Sequence, residues 1–60
     1  MRNKDRIGPI LDRLGKCWKK VPDWRLGQVI SNIFGTHDLF HLEDEDMIKI
    51  IEDWFKANDL

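Results

Sequence analysis

Residues 44–57 read DEDMIKIIEDWFKA, and this stretch decides the fold class. Its large apolar side chains recur every three or four residues, which is the spacing of one face of an α-helix. Carboxylates at 43–46 precede them, and the helix dipole favours negative charge at a helix N-terminus. The pattern predicts a helix over 44–57. Its apolar face consists of Met47, Ile50, Ile51, Trp54 and Phe55. Ile48 lies off that face, so we expect it to be exposed.

A second helix is predicted over 6–19. Pro9 falls in its first turn, where a proline is tolerated, and Asp5 is the expected cap. The apolar face consists of Ile7, Ile10, Leu11, Leu14 and Trp18.

A third helix is predicted over 22–34, with Pro22 at its first position and Gly35 as its C-terminal stop. Its apolar face consists of Leu26, Val29, Ile30, Ile33 and Phe34. In the connector that follows, we expect Leu39 and either Phe40 or Leu42 to turn inward. Three amphipathic helices with short connections predict an all-α fold, a compact three-helix bundle forming one domain over 1–60.

The length and composition limit what such a domain can be. A chain of 60 residues buries only about 60% of its unfolded surface, so it is marginally stable by itself. Its single cysteine, Cys17, excludes an internal disulfide and favours a reducing compartment. No apolar run is long enough to cross a bilayer, and the N-terminus lacks a secretion signal. We therefore expect a cytoplasmic protein without a membrane partner.

The charges of the chain are divided between its two halves. Residues 1–25 carry eight basic and three acidic side chains, a net charge of +5. Residues 26–60 carry two basic and eight acidic side chains, a net charge of −6. Opposite charges on one small body favour pairing. The pairing is either within one chain, between the first and third helices, or between the chain and a charged partner.

Residues 18–32, WKKVPDWRLGQVISN, and residues 38–44, DLFHLED, together resemble a family of small uncharacterised bacterial and phage proteins. The pattern of that family is W-x3-PD-x-R-x-GQ-[LV]-I-x-N followed by D-x-F-x2-ED, and the resemblance covers most of the chain. Val21 stands where the family often has a polar capping residue, and His41 stands where it usually has Tyr. The resemblance implies no established activity. By position, its polar residues are Asp23, Arg25, Gln28 and Asn32.

Three of these polar residues lie on one face of the predicted second helix. Arg25, Gln28 and Asn32 are spaced i, i+3 and i+7. They are either a contact surface for a partner or a solvated face whose hydrogen bonds stay within the chain. Trp and Arg are frequent interface anchors, so Trp24 joins this set, and the exposed Ile48 is a further candidate contact.

No residue pattern predicts catalysis, a cofactor or a metal. His37 and His41 are spaced i, i+4 but lack the Glu of a metalloprotease signature, and a zinc site needs three or four ligands. Cys17 lies near the end of a helix, where the dipole does not activate a thiol. Glycine-rich phosphate loops are absent from the sequence. We therefore expect a protein that is not an enzyme.

Two functional classes follow. The first is a protein–protein interaction module that forms a homodimer; by analogy with small phage proteins, its other partner would be a host enzyme or defence complex that it inhibits. The alternative is a small nucleic-acid-binding regulator of helix-turn-helix type that uses the basic N-terminal half. A sequence pI of about 6.0 and an acidic third helix count against this alternative.

Overall fold

The computed structural model describes residues 2–60, and within them it contains one 3-10 turn and three α-helices. The turn is Lys4–Arg6, and the helices are α1 (Ile7–Trp18), α2 (Leu26–Phe34) and α3 (Asp44–Ala57). No strand occurs in this part of the chain. The predicted all-α three-helix fold is confirmed, and α3 has the predicted bounds. None of the described helices has both the length and the apolar character needed to cross a membrane.

The start of α2 differs from the prediction. The helix begins at Leu26, and residues 22–25 form turns instead of its first turn. The Trp24 backbone N–H donates to the Val21 carbonyl at 3.0 Å, which folds the chain back before Arg25 takes an extended conformation. Pro22 therefore lies at the second position of the turn Val21–Trp24, which proline favours as much as a first helical position.

The cap at the beginning of the chain also differs from the prediction. Asn3, and not Asp5, accepts the capping hydrogen bond: its side-chain oxygen lies 2.9 Å from the Asp5 backbone nitrogen. This bond closes the 3-10 turn that leads into α1. Pro9 falls in the first turn of α1, as predicted.

The core is centred on α3, but on a face rotated from the predicted one. Ile48, expected to be exposed, is only 2% exposed, whereas Ile50 is 42% exposed. Ile48, Ile51 and Phe55 are spaced i, i+3 and i+7 and form the buried stripe of α3. The other buried core residues are Cys17, Val29 and Phe34.

Ion pairs fix the register between α1 and α3. In chain order they are Arg2–Glu43, Arg6–Asp44, Arg13–Glu45 and Arg13–Glu52, with N···O distances of 2.9, 2.6, 2.8 and 2.7 Å. Arginines further along the first segment pair with carboxylates further along the second, so α1 and α3 run parallel. The basic N-terminal half and the acidic C-terminal half thus partly neutralise each other within one chain. Exposed pairs add little stability, so their main effect is to define this register.

Part of the predicted apolar surface remains outside the core. On α1, Ile10 and Leu14 pack against the core, but Ile7 is 48% exposed and Leu11 is 57% exposed. α3 covers only one side of α1, and the opposite side of its apolar face stays open. In the connector, Leu39 and Leu42 turn inward.

Candidate partner-binding surface

Trp24 is held in place by two other tryptophans. The Trp18 Nε1–H donates to the Trp24 carbonyl oxygen at 2.7 Å. The Trp24 ring meets Trp54 edge-on, with ring centroids 6.1 Å apart. These contacts dock the turn between α1 and α2 onto α3. Trp24 is therefore half-buried and presents only part of its ring to a partner.

The beginning of α2 fixes Arg25 and Gln28 relative to each other. The Arg25 backbone N–H donates to the Gln28 side-chain oxygen at 2.7 Å, which satisfies a donor at the helix start. Gln28 thus has a structural role as a helix cap. The Arg25 guanidinium has no carboxylate within ion-pairing distance among residues 2–60. Arg25 remains exposed and carries its charge to the surface.

Four of the five predicted contact residues come together around one shallow depression. It has a volume of about 580 Å³ and is open to solvent. Its lining residues are Trp24, Arg25, Gly27, Gln28, Ser31 and Asn32. The fifth predicted residue, Ile48, is buried in the core and contributes nothing to this surface. The depression offers one cation and several neutral hydrogen-bonding groups.

Among the large apolar side chains of residues 2–60, the most exposed one is Phe40, which the sequence pattern does not single out. Phe40 is 86% exposed, and its ring stacks edge-on against His41 with centroids 4.9 Å apart. Its backbone N–H donates to the Asp38 side chain at 2.9 Å, so a local turn fixes this segment. The spacing of Asp38 and Phe40 does indicate this turn, because an Asp side chain commonly accepts a hydrogen bond from the backbone N–H two residues later.

A second concave surface, here called the basic cleft, lies between α1 and α3 and has a volume of about 340 Å³. The parallel register brings lysines from both helices to it. Its lining residues are Arg13, Lys16, Cys17, Lys20, Glu52 and Lys56. Burial raises the pKa of the Cys17 thiol, so the thiol stays protonated and unreactive at neutral pH.

Arg13 and Glu52 form the strongest polar contact in the basic cleft. Arg13 donates from Nε and Nη2 to the two Glu52 oxygens, at 3.0 and 2.7 Å. This two-point hydrogen bond lowers the pKa of Glu52, and the hydrogen bonds to Glu52 and Glu45 raise the pKa of Arg13. The pair is charged at neutral pH and ties the middle of α1 to α3.

Glu52→Gln is expected to reduce stability in a pH-dependent way. Because the folded-state pKa of Glu52 is lowered, its carboxylate contributes stability above the unfolded-state pKa of about 4.3, and this is lost as the pH falls through the folded-state pKa. The Tm difference between wild type and variant should therefore be largest at neutral pH and shrink as the pH falls through the folded-state pKa of Glu52. Asp53→Asn, at an exposed neighbour, is the control. A difference that does not change with pH would contradict this role.

The two histidines do not assemble a site in the part of the chain described. His37 and His41 are both exposed. Among residues 2–60, no three His, Cys, Asp or Glu side chains are grouped to hold a metal ion.

No family model, curated protein or solved structure matches this chain. The resemblance to small bacterial and phage proteins therefore stays a prediction. Functional proposals rest on the geometry of the residues themselves.

Proposed function

We propose that this chain is a protein-interaction module without catalytic activity that associates with itself. The observation that carries the proposal is the apolar surface left over once the core is complete. Within residues 2–60, large apolar side chains are 41–86% exposed on every helix and in the connector. They are Ile7, Leu11, Leu26, Phe40, Ile50 and Leu60.

Self-association is favoured because a marginal core gains from further burial. Each CH₂ group removed from water contributes about 0.8 kcal/mol, and small domains often reach adequate stability by oligomerising. Several of the arginines are already paired within the chain, so their charges do not demand an outside partner. The leftover apolar side chains supply the driving force.

A different protein partner would be recognised at the depression around Arg25. The unpaired guanidinium on a fixed helix start favours a carboxylate-bearing surface, and Trp24 adds apolar area beside it. Inhibition of a host enzyme or defence complex is the use suggested by analogy with small phage proteins. If wild type captures a partner and Arg25→Ala does not, the partner binds at this depression. Asn32→Ala, which removes a neutral group from the same depression, should weaken the capture less.

Sedimentation equilibrium tests the self-association directly. At about 100 μM, well above a micromolar Kd, we expect a mass of twice 7.2 kDa. The apparent mass should fall toward that of one chain on dilution. A single chain at every concentration would overturn the proposal.

The alternative function, nucleic-acid binding, is favoured by the basic cleft alone. Lys16, Lys20 and Lys56 converge there, and each phosphate contact contributes about −0.9 to the slope of log K against log salt. Titration of a random DNA duplex at low salt tests this reading. Binding that weakens in a Lys16→Gln/Lys20→Gln variant would support it, and absence of binding at low salt would remove it.

A further inference from the structure

One side of α1 carries a ridge formed by the exposed Ile7 and Leu11 and the half-buried Gly15, here called the α1 ridge. These residues are spaced i, i+4 and i+8, which is the ridge used when two helices interdigitate in the commonest packing class. Ile7 and Leu11 are 48% and 57% exposed, although both belong to the apolar face of the helix. The rest of residues 2–60 therefore leaves about half of each side chain uncovered.

Gly15 has no structural reason to be glycine within the chain. A Cβ at this position would have no neighbour within 4 Å, and the residue lies inside α1, where glycine costs about 1 kcal/mol relative to alanine. Gly15 therefore leaves a hollow at one end of the α1 ridge. The large Ile7 lies at the other end, and Leu11 lies midway between them.

The α1 ridge is complementary to a second copy of itself, because it has a large side chain (Ile7) at one end, Leu11 in the middle and no side chain (Gly15) at the other end. If a second α1 lies antiparallel on the first, with a two-fold axis at Leu11, each Ile7 faces the Gly15 hollow of the other copy. A two-fold interface requires such self-complementarity, since each contact occurs twice. A parallel arrangement would instead place Ile7 against Ile7 and leave both hollows empty.

The charges at the two ends of the molecule favour the same arrangement. The parallel α1 and α3 start at one end, where residues 2–6 and 43–46 carry three basic and five acidic side chains, net −2. At the other end, residues 16–25 and 52–60 carry five basic and four acidic side chains, net +1. Antiparallel pairing sets the acidic end of each copy beside the basic end of the other, and it also aligns the α1 dipoles favourably.

We propose that two copies of this chain pair antiparallel through the α1 ridge, with Leu11 on the two-fold axis and Ile7 of each copy seated over Gly15 of the other. The proposal rests on the proposed self-association and specifies its surface. A helix of 12 residues is about 18 Å long, so the contact is smaller than the 1,200–2,000 Å² of stable complexes. The dimer should therefore dissociate in the micromolar range and weaken with salt.

Substitution at the centre of the ridge tests the surface. Leu11→Ser should raise the dimer Kd at least tenfold in sedimentation equilibrium, with an unchanged circular dichroism spectrum because Leu11 is exposed. Phe40→Ser, which removes the most exposed apolar side chain, is the matched control and should leave the Kd within twofold. A dimer that survives Leu11→Ser, or that is lost in Phe40→Ser, would overturn the α1 ridge while leaving self-association intact. A wild-type monomer would overturn both.

Disulfide trapping tests the antiparallel register. Equal amounts of Ile7→Cys and Gly15→Cys chains, mixed and mildly oxidised, should form a mixed disulfide, because the proposed pairing brings these positions within disulfide range. Ile7→Cys by itself should not crosslink. Wild type, whose only cysteine is the buried Cys17, is the control. Crosslinking of Ile7→Cys with itself, or no mixed product from a dimeric mixture, would overturn the register.

Discussion

Ile48→Ala should remove a large part of the protein's stability, whereas Ile50→Ala should have a much smaller effect. Ile48 is 2% exposed and is the first residue of the buried α3 stripe, so truncation leaves a cavity and costs about 2–5 kcal/mol. A domain of 60 residues has only about 3–9 kcal/mol to lose. Ile50, on the same helix, is 42% exposed, and its truncation should cost about 1 kcal/mol or less.

Urea unfolding followed by circular dichroism measures both variants under the same conditions. The pair is matched in residue type, helix and size of the truncation, so helix propensity cancels. A larger effect of Ile50→Ala would mean that α3 presents the face that the sequence pattern predicts, and equal midpoints would contradict the difference in burial between Ile48 and Ile50. The Ile48 result thus decides which side of α3 forms the core.

Gly35→Ala should destabilise the protein by about 1–3 kcal/mol, although it adds only one methyl group. Gly35 ends α2 with φ 59° and ψ −123°, a backbone conformation that L-residues rarely adopt. Open space surrounds the added Cβ, so the cost comes from the backbone alone. The turn must open or α2 must shorten, which disturbs the neighbouring Phe34 in the core.

Gly27→Ala is the control for this prediction. Gly27 lies inside α2, has open space around an added Cβ, and has no left-handed φ. Alanine there should stabilise the helix, by up to about 1 kcal/mol. Opposite signs for the two variants in thermal unfolding are expected, and a stabilising Gly35→Ala would contradict the strained end of α2. For a domain of this size, 1 kcal/mol corresponds to a Tm shift of about 4–8 °C.

The sequence predicts the number of helices and the bounds of α3, because local signals agree there. Its acidic first turn, apolar spacing and length all indicate the same helix. The start of α2 could not be predicted, since Pro22 suits both a first helical position and the turn Val21–Trp24 that the chain adopts. The rotation of α3 toward Ile48 has a similar origin. Spacing places Ile48 beside the predicted apolar face and not on it, and only the position of the neighbouring helices decides which side of α3 is covered.

The candidate surface was predictable in part. The spacing of Arg25, Gln28 and Asn32 placed them on one helix face, and they do line one depression. The capping role of Gln28 was not foreseen, because it depends on where α2 begins. The proposed role of Gly15 also could not be foreseen, since it depends on the exposure of Ile7 and Leu11 on the same ridge of α1.

The parallel pairing of α1 with α3 has a consequence for how the chain reaches its native state. Its ion pairs join residues 32–41 positions apart in sequence. Bringing such distant segments together costs loop-closure entropy before any contact forms, which slows folding relative to bundles dominated by local contacts. Neither helix gains its neighbour until most of the polypeptide has collapsed. We therefore expect cooperative, all-or-none folding kinetics without an independently stable N-terminal half.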